Sequence, residues 1–455
     1  AALQSQAQQL TIITGGPGTG KTSTVAKIIS MLRENDAEMV IKLAAPTGKA
    51  ARRLAESILQ FLPQLPERTR DTIPTRVQTL HRLLGMRSDG RSFRYNRDNL
   101  ITADVIVIDE VSMIDLTMMH RLLDALPADT RLLLLGDPDQ LPSIEAGNVL
   151  ADLCRDRPGF SQEFADLTNK MLAVDLPVTK NQHGLTNAIC HFETNYRFSM
   201  DQGIGQLANN IQSGEPHLQS SGDDEVSVYN LESLAADRLR PEIASYYFEY
   251  EMLLQDPESD AASLLSNFES TRILCPVRDG DLGVETLNSE MESYLEEKGL
   301  KASDQSFYHG RPLIIMQNDY NLGLFNGDIG ICVNDPLDNQ IKTAFMDPQG
   351  EIRLYLASRL PPHESCFAMT VHKSQGSEFN HVTLIMPRPT SAPSEQLLTR
   401  ELIYTAVTRA RHSMAIYADD ITWSEALQRS VRRMSGLSSM LEFGEATDTQ
   451  TDLFS

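Results

Sequence analysis

Between Leu10 and about Leu153, short β-branched runs alternate with longer stretches in which apolar residues recur at helical spacing. The runs are Leu10–Ile13, Val40–Ala44, Val105–Ile108 and Leu132–Leu135; the helical stretches are Ser23–Glu34 and Lys49–Phe61. Short strands separated by helices predict a parallel sheet wrapped by helices. The rhythm returns with Arg272–Pro276, Thr383–Met386 and Met414–Tyr417 as strands and Gly283–Lys298 and Arg400–Thr408 as helices, so a second α/β domain is expected. Two smaller pieces interrupt it. Residues Leu84 to Tyr95 hold Asp89-Gly90 between partly alternating flanks, a β-hairpin signal. Leu313–Met316, Ile329–Val333, Ile341–Met346 and Ile352–Leu356, broken by Asn326-Gly327 and Pro348-Gln349-Gly350, predict a small β-barrel inserted in the second domain. No tandem repeat is found, and the polar tail after Phe443 is expected to be disordered.

Composition keeps this picture and bounds it. At roughly 150 residues per domain, 455 residues suggest about three domains. The hydrophobic share of 41%, the charged share of 22% and a mean hydropathy of −0.27 are those of soluble globular protein. No apolar run approaches the ~20 residues that span a bilayer. The start, Ala1 to Leu10, lacks a basic flank and an apolar signal core, so an intracellular protein with no membrane partner is expected. Five cysteines without a CxxC pair or zinc spacing predict reduced thiols.

Charge changes more. Forty basic against 62 acidic residues give −22, which taken globally argues against a polyanionic partner. The acidity is regional: Glu215 to Leu300 holds 20 acidic and 5 basic residues, −15 of the total. The segment Glu290 to Glu297 within it reads as a solvated helix face, or alternatively as a surface for a basic partner subunit.

Candidate chemistry begins at Gly15-Gly16-Pro17-Gly18-Thr19-Gly20-Lys21-Thr22, which fills G-x-x-x-x-G-K-[ST] between a strand and a helical pattern. Such a P-loop points backbone N–H groups and the helix's positive end at phosphates, and Ser23 continues it. Lys21 would neutralise the β- and γ-phosphates of ATP, and Thr22 would offer a hydroxyl to Mg²⁺. The strand Val105–Ile108 ends in Asp109 and Glu110, suited to holding Mg²⁺ through water and to activating the attacking water, respectively. This pairing favours a hydrolase over a kinase, since no acceptor-substrate pocket is indicated. Gly136-Asp137-Pro138-Asp139-Gln140 ends a third strand; it is either a polar turn or a site where Gln140 senses the γ-phosphate.

The set GGPGTGKT (15–22), AAPTGKAARRL (44–54), TLHRLLG (79–85), VIDEVSMID (107–115), LLGDPDQLPSIEAG (134–147), NYRF (195–198), MTVHKSQGSEF (369–379) and YTAVTRAR (404–411) resembles the ordered motif series of superfamily 1 helicases, most closely the RecD family, the alpha subunits of exodeoxyribonuclease V. The resemblance covers Leu10 to about Leu441 and implies two RecA-like P-loop NTPase domains with a β-hairpin insert and a small SH3-like β-barrel insert. It implies a first motor domain over 1–155 with a strand-separating pin at about 84–100, a connecting insertion over 156–194, a second motor domain over 195–310 and 366–443 interrupted by the SH3-like insert at 311–365, and a polar tail over 444–455.

By the same resemblance, Arg197 and Arg409 are arginine fingers and Glu378 approaches the nucleotide sugar. Lys21, Glu110 and Gln140 complete the catalytic set. Pro46, Thr47 and Lys49, with Arg52 and Arg53 one turn on, match a DNA-gripping motif; so do Thr79 and His81, and in the second domain Thr370, His372, Lys373, Ser374 and Gln375. The implied activity is ATP-dependent 5′→3′ translocation on single-stranded DNA and unwinding at duplex ends, in a bacterial cytoplasmic heterotrimer with RecB and RecC. A stand-alone helicase of the same group and an ATP-binding switch are the alternatives. The stretch Arg157 to Glu193 favours the alpha-subunit type. RecD proteins also carry a further domain and an adenine-contacting glutamine motif ahead of the P-loop. Only 14 residues precede Gly15, so the chain is expected to be a fragment.

Overall fold

A computed structural model describes residues 1–431 and 437, except 88–89, 144, 156–158, 181–184, 200, 223, 235, 320, 336, 339 and 348–349. Asp89, Tyr320, Pro348, Gln349 and the polar tail therefore lie outside the described residues. The chain divides into two compact units: Ala1–Pro46 with Ala50–Tyr196, and Arg197–Val431 with Thr47–Lys49.

The first unit is built on β1 (Leu10–Gly15), β2 (Ile41–Ala45), β3 (Val77–Thr79), β4 (Val105–Ile108), β5 (Arg131–Gly136) and β6 (Ile189–Phe192). They form one sheet in the order β3-β2-β4-β5-β1-β6, every pairing parallel. Residues along β1, β4 and β5 alternate between two cores. Ile12, Ile106, Ile108, Leu132 and Leu134 face one, with Met119, Leu122 and Leu150. Ile13, Val105, Val107, Leu133 and Leu135 face the other, with Val25, Ala26 and Ile29 of the helix Lys21–Asn35. Because both faces are covered, alternation of polar and apolar residues is absent from these strands.

The expected connecting insertion over 156–194 contributes β6, which pairs with β1, so the first unit extends to Tyr196. Its strand, Ile-Cys-His-Phe, is short and only partly buried, which hides it from a hydrophobic pattern. From Leu84 to Tyr95 the backbone doubles back: Arg87 N–H donates to Ser92 O (2.9 Å), Arg94 N–H to Gly85 O (3.0 Å) and Tyr95 N–H to Leu84 O (3.1 Å).

The second unit holds β7 (Val226–Asn230), β8 (Thr271–Cys275), β9 (Pro312–Ile315), β10 (Ile329–Asn334), β11 (Ile341–Met346), β12 (Ile352–Leu356), β13 (His363–Ser365), β14 (Ala368–Thr370), β15 (Phe379–Ile385) and β16 (Ala410–Ala418). Five form a parallel sheet in the order β14-β8-β15-β16-β7. The other five form an antiparallel sheet, β12-β11-β10-β9-β13, over the expected inserted piece. The helices Val284–Glu297 and Arg400–Val407 lie where the helical spacing places them.

The acidic helix Val284–Glu297 is less bare than a solvated face. Glu290 and Glu297 both accept from Arg240, Glu292 pairs with Lys301 at 3.2 Å and Glu285 with Arg278 at 3.0 Å. Exposed pairs of this kind add at most about 1 kcal/mol each, but they locally offset the regional negative charge. No helix among the described residues is long and apolar enough to cross a membrane.

Candidate nucleotide and DNA site

In parallel α/β sheets, ligands gather where strands end and helices begin. In the first unit, that edge runs from Thr79 (β3) through Pro46 (after β2), Asp109 and Glu110 (after β4) and Asp137 (after β5) to the P-loop after β1. Candidate DNA residues thus occupy one half of a single sheet edge and candidate nucleotide residues the other.

The P-loop turns through Gly18 and Gly20, both at φ +82°, a region that glycine enters without the Cβ penalty of other residues. Gly20 is the N-cap of Lys21–Asn35, so that helix's first free N–H groups open onto the loop. Thr19 Oγ donates to Gly16 O (2.8 Å) and Ser23 Oγ to Gly20 O (2.8 Å), which fixes the turn. Lys21 Nζ donates to Gly15 O (2.7 Å) and Gly16 O (3.0 Å). Burial lowers the Lys21 pKa, while the carboxylates of Asp137, Asp109 and Glu110 pull the other way. A cation held among three acids at the head of a helix is suited to a polyphosphate. Thr22 and Asp109 add hard oxygen donors of the kind Mg²⁺ takes, with phosphates supplying the remainder.

Burial and the neighbouring Glu110 charge push Asp109 up to about 6, with Lys21 opposing. Glu110 sits in the left-handed region at φ +55°, its N–H donating to Asp109 Oδ1 at 2.9 Å. A non-glycine residue held there costs on the order of 1 kcal/mol, and such strain clusters at functional sites. Gln140 is 4% exposed and donates from Nε2 to Asp137 Oδ2 at 3.1 Å. Asp137, 2% exposed, is pushed by burial up to about 6. Asp137 stands in the same turn as Gln140, where local sequence gives it no role of its own. Its signal is topological: β5 lies between the P-loop strand and the Asp109 strand, so the residue ending β5 must face both. Asn195 likewise carries no local signal in the sequence. Its Nδ2 donates to Pro17 O at 2.9 Å.

On the candidate DNA half, Ala45 of β2 pairs with Thr79 of β3, which brings Pro46 beside Thr79. Thr79 caps the short helix Leu80–Leu83 by accepting from Arg82 N–H at 3.3 Å. His81, on that helix, lies 6.2 Å from the Phe93 ring between centroids, and burial lowers its pKa. Gly48–Phe61 is the helix carrying Lys49, Arg52 and Arg53, with Thr47 just before it.

In the second unit, Thr370 ends β14 and His372, Lys373 and Ser374 form the 3-10 turn that follows, with Gln375 at its end. Thr370 Oγ1 accepts from Lys373 N–H (3.3 Å), and Lys373 Nζ bonds Glu364 at 2.9 Å. Ser374 is fully buried, its hydroxyl donating to Val371 O, and Gln375 is 8% exposed. Ser374 thus shapes the loop from inside. Arg197 bonds Glu378 Oε1 at 2.7 Å, and Arg411 bonds Oε2 at 2.9 Å. Glu378 is therefore clamped by two guanidiniums. Arg409 is 1% exposed and donates to Ser377 O (3.0 Å) and Thr405 O (3.1 Å). The arginine expected to serve as a finger is tied to main-chain carbonyls, while Arg411 is the exposed member of the pair.

Comparison with known proteins finds relatives along nearly the whole chain. Residues 1–146 match the AAA domain family and residues 365–417 the UvrD-like helicase C-terminal domain family. The RecBCD enzyme subunit RecD of Haemophilus influenzae is 37% identical over 95% of this chain and 70% of its own length. The RecD subunit of Mycolicibacterium smegmatis is 37% identical over 96% of this chain and 73% of its own. The ATP-dependent RecD2 DNA helicase of Deinococcus radiodurans is 29% identical over 94% of this chain but 49% of its own. With more than a third of positions identical along nearly its whole length, the chain belongs to the RecD family of RecBCD enzyme subunits.

Proposed function

We propose that this chain is an ATP-dependent 5′→3′ single-stranded DNA translocase and DNA helicase, the motor subunit of exodeoxyribonuclease V acting at duplex ends in double-strand-break repair. The observation that carries the reading is the single sheet edge on which the P-loop, Asp109, Glu110, Asp137 and Gln140 stand beside Pro46 and Thr79. Hydrolysis at one half can then bias loops on the other half that hold the DNA backbone.

In this reading the two parallel-sheet units are RecA-like motor domains. ATP binds at the P-loop; Thr22 and Asp109 would hold Mg²⁺, which would supply charge neutralisation on the phosphates. Glu110 orients and deprotonates the attacking water, and Gln140 senses the γ-phosphate. Arg197 and Arg409 are the proposed fingers, a class of residue worth about 10³–10⁵ in rate, and Glu378 would reach the sugar once its guanidinium partners yield. Thr47, Lys49 and His81, with Thr370, His372, Lys373 and Gln375, track the strand. The segment 84–100 is the proposed pin, and 311–365 the proposed SH3-like insert.

RecB and RecC are the proposed partners in the bacterial cytoplasm, since the relatives of highest identity named above are RecBCD subunits. Lys21→Gln tests the nucleotide half: it should abolish DNA-stimulated ATP hydrolysis with the fold intact, and unchanged turnover would remove the P-loop assignment. Co-elution with purified RecB and RecC in gel filtration tests the assembly, and failure to co-elute favours the stand-alone alternative that the RecD2 similarity suggests.

A further inference from the structure

A P-loop works because its N–H groups point inward at the phosphates, and a peptide whose N–H points one way presents its carbonyl the other way. What holds the carbonyls therefore aims the donors, except at Gly16, whose peptide partner Pro17 has no N–H. Among the described residues, the carbonyls of four successive P-loop residues are each engaged. Lys21 Nζ takes Gly15 O and Gly16 O, at 2.7 and 3.0 Å. Asn195 Nδ2 takes Pro17 O at 2.9 Å, and Tyr196 N–H takes Gly18 O at 3.0 Å.

These two holds differ in kind. The Lys21 ammonium has three donors, two of them on loop carbonyls, and must share them with phosphate once a nucleotide binds. Asn195 and Tyr196 come from outside the loop and can stay. They are anchored through β6, whose pairing with β1 sets Cys190 beside Ile13 and Phe192 beside Gly15. His191 Nδ1 and Thr14 Oγ1 lie 2.9 Å apart, a second tie between those strands. At Gly15, a Cβ would meet Phe192 O at 2.7 Å, so the loop's base is pressed directly against this segment.

We propose that Asn195 is a positioning residue for the nucleotide: its side-chain amide holds the Pro17 carbonyl turned away from the phosphates and so keeps the P-loop donors aimed while Lys21 shares its donors with the ligand. It touches no reacting atom. The Tyr196 bond is made by main chain and survives any substitution of the ring, so Asn195 is the side chain through which the hold can be tested. This rests on the proposed ATP site at the P-loop.

The experiment is equilibrium binding of a fluorescent ATP analogue with Mg²⁺ to Asn195→Ala, Asn195→Asp and Asn195→Gln, with melting temperature and single-stranded DNA affinity measured without nucleotide. Asp keeps the shape and removes the donor; Gln keeps an amide donor. Ala and Asp should each weaken nucleotide binding about tenfold, the scale of one lost hydrogen bond to a buried carbonyl. Gln should lie within threefold of wild type, DNA affinity without nucleotide should stay unchanged, and melting without nucleotide should fall by no more than a few degrees, the cost of the same bond in the free loop. Nucleotide affinity within twofold of wild type for Ala and Asp would overturn the role. So would a loss with Asp alone, which would assign the effect to charge, or a loss shared equally by DNA affinity and melting temperature. If the wild-type chain bound no nucleotide, the proposed ATP site itself would fail, which is a different outcome.

Discussion

Asp137→Asn separates the cost of a buried charge from its use. The carboxylate is 2% exposed, and burial pushes it from the ordinary 3.8 up to about 6, with the Lys21 ammonium opposing. At about 1.4 kcal/mol per pH unit, holding it ionised costs the folded state on the order of 3 kcal/mol above pH 6. Between about pH 4 and 6 the folded protein binds more protons at this site than the unfolded chain, so its contribution to stability falls as pH rises through that window and is flat beyond it. Asparagine preserves the shape and removes the charge. The variant should therefore gain up to about 3 kcal/mol at pH 7.5, roughly 6–12 °C in the melting of a unit of this size. It should also lose hydrolysis, because Gln140 gives up a charged acceptor and Lys21 its strongest neighbouring anion; about tenfold in kcat is the scale of one charge-assisted bond. The assay is thermal melting of both proteins from pH 4.5 to 8 without nucleotide. Asp109 titrates in the same range, so the quantity read is the difference between variant and wild type. A variant no more stable at pH 7.5, or a difference that does not grow between pH 4.5 and 6.5, would refute the reasoning.

Arg409→Lys keeps a cation but loses the planar fork whose Nε and Nη1 donate separately to Thr405 O and Ser377 O; it should retain nucleotide affinity and lose about 10³ or more in DNA-stimulated turnover. A loss of tenfold or less, measured at saturating ATP, would remove its finger role. Single-strand binding measured against salt should fall with a log–log slope of about −0.7 per phosphate contacted, and a flat profile would contradict a backbone-gripping groove on either unit.

Much of this molecule is legible in its sequence because its strands are buried on both faces. Val105–Ile108 and Leu132–Leu135 carry their assignment in four consecutive apolar residues. The edge strands resist reading for the opposite reason. Val226–Asn230 ends in exposed Tyr229 and Asn230, and Val77–Thr79 and Ala368–Thr370 have three residues each, so their pairing rests on neighbours far along the chain. The site divides similarly. A P-loop and a strand ending in Asp109-Glu110 are local patterns, and local pattern suffices to find them.

Three-dimensional adjacency is what sequence lacks. Asp137 becomes important because β5 lies between β1 and β4, Asn195 because β6 brings it to Pro17, and Ser374 becomes interior because its hydroxyl turns onto Val371. The acidic segment shows the same limit. Its count is visible in the chain, but its pairing with Arg240, Arg278 and Lys301 requires the fold.

The central claim is directional, ATP-driven strand separation, and unwinding of duplexes that carry either a 5′ or a 3′ single-stranded tail tests it most directly. The protein, alone or added to RecB and RecC, should bring separation of the 5′-tailed duplex in MgATP, bring none of the 3′-tailed one, and lose the activity with Lys21→Gln. Separation confined to 3′ tails, or separation that persists in Lys21→Gln, would contradict it.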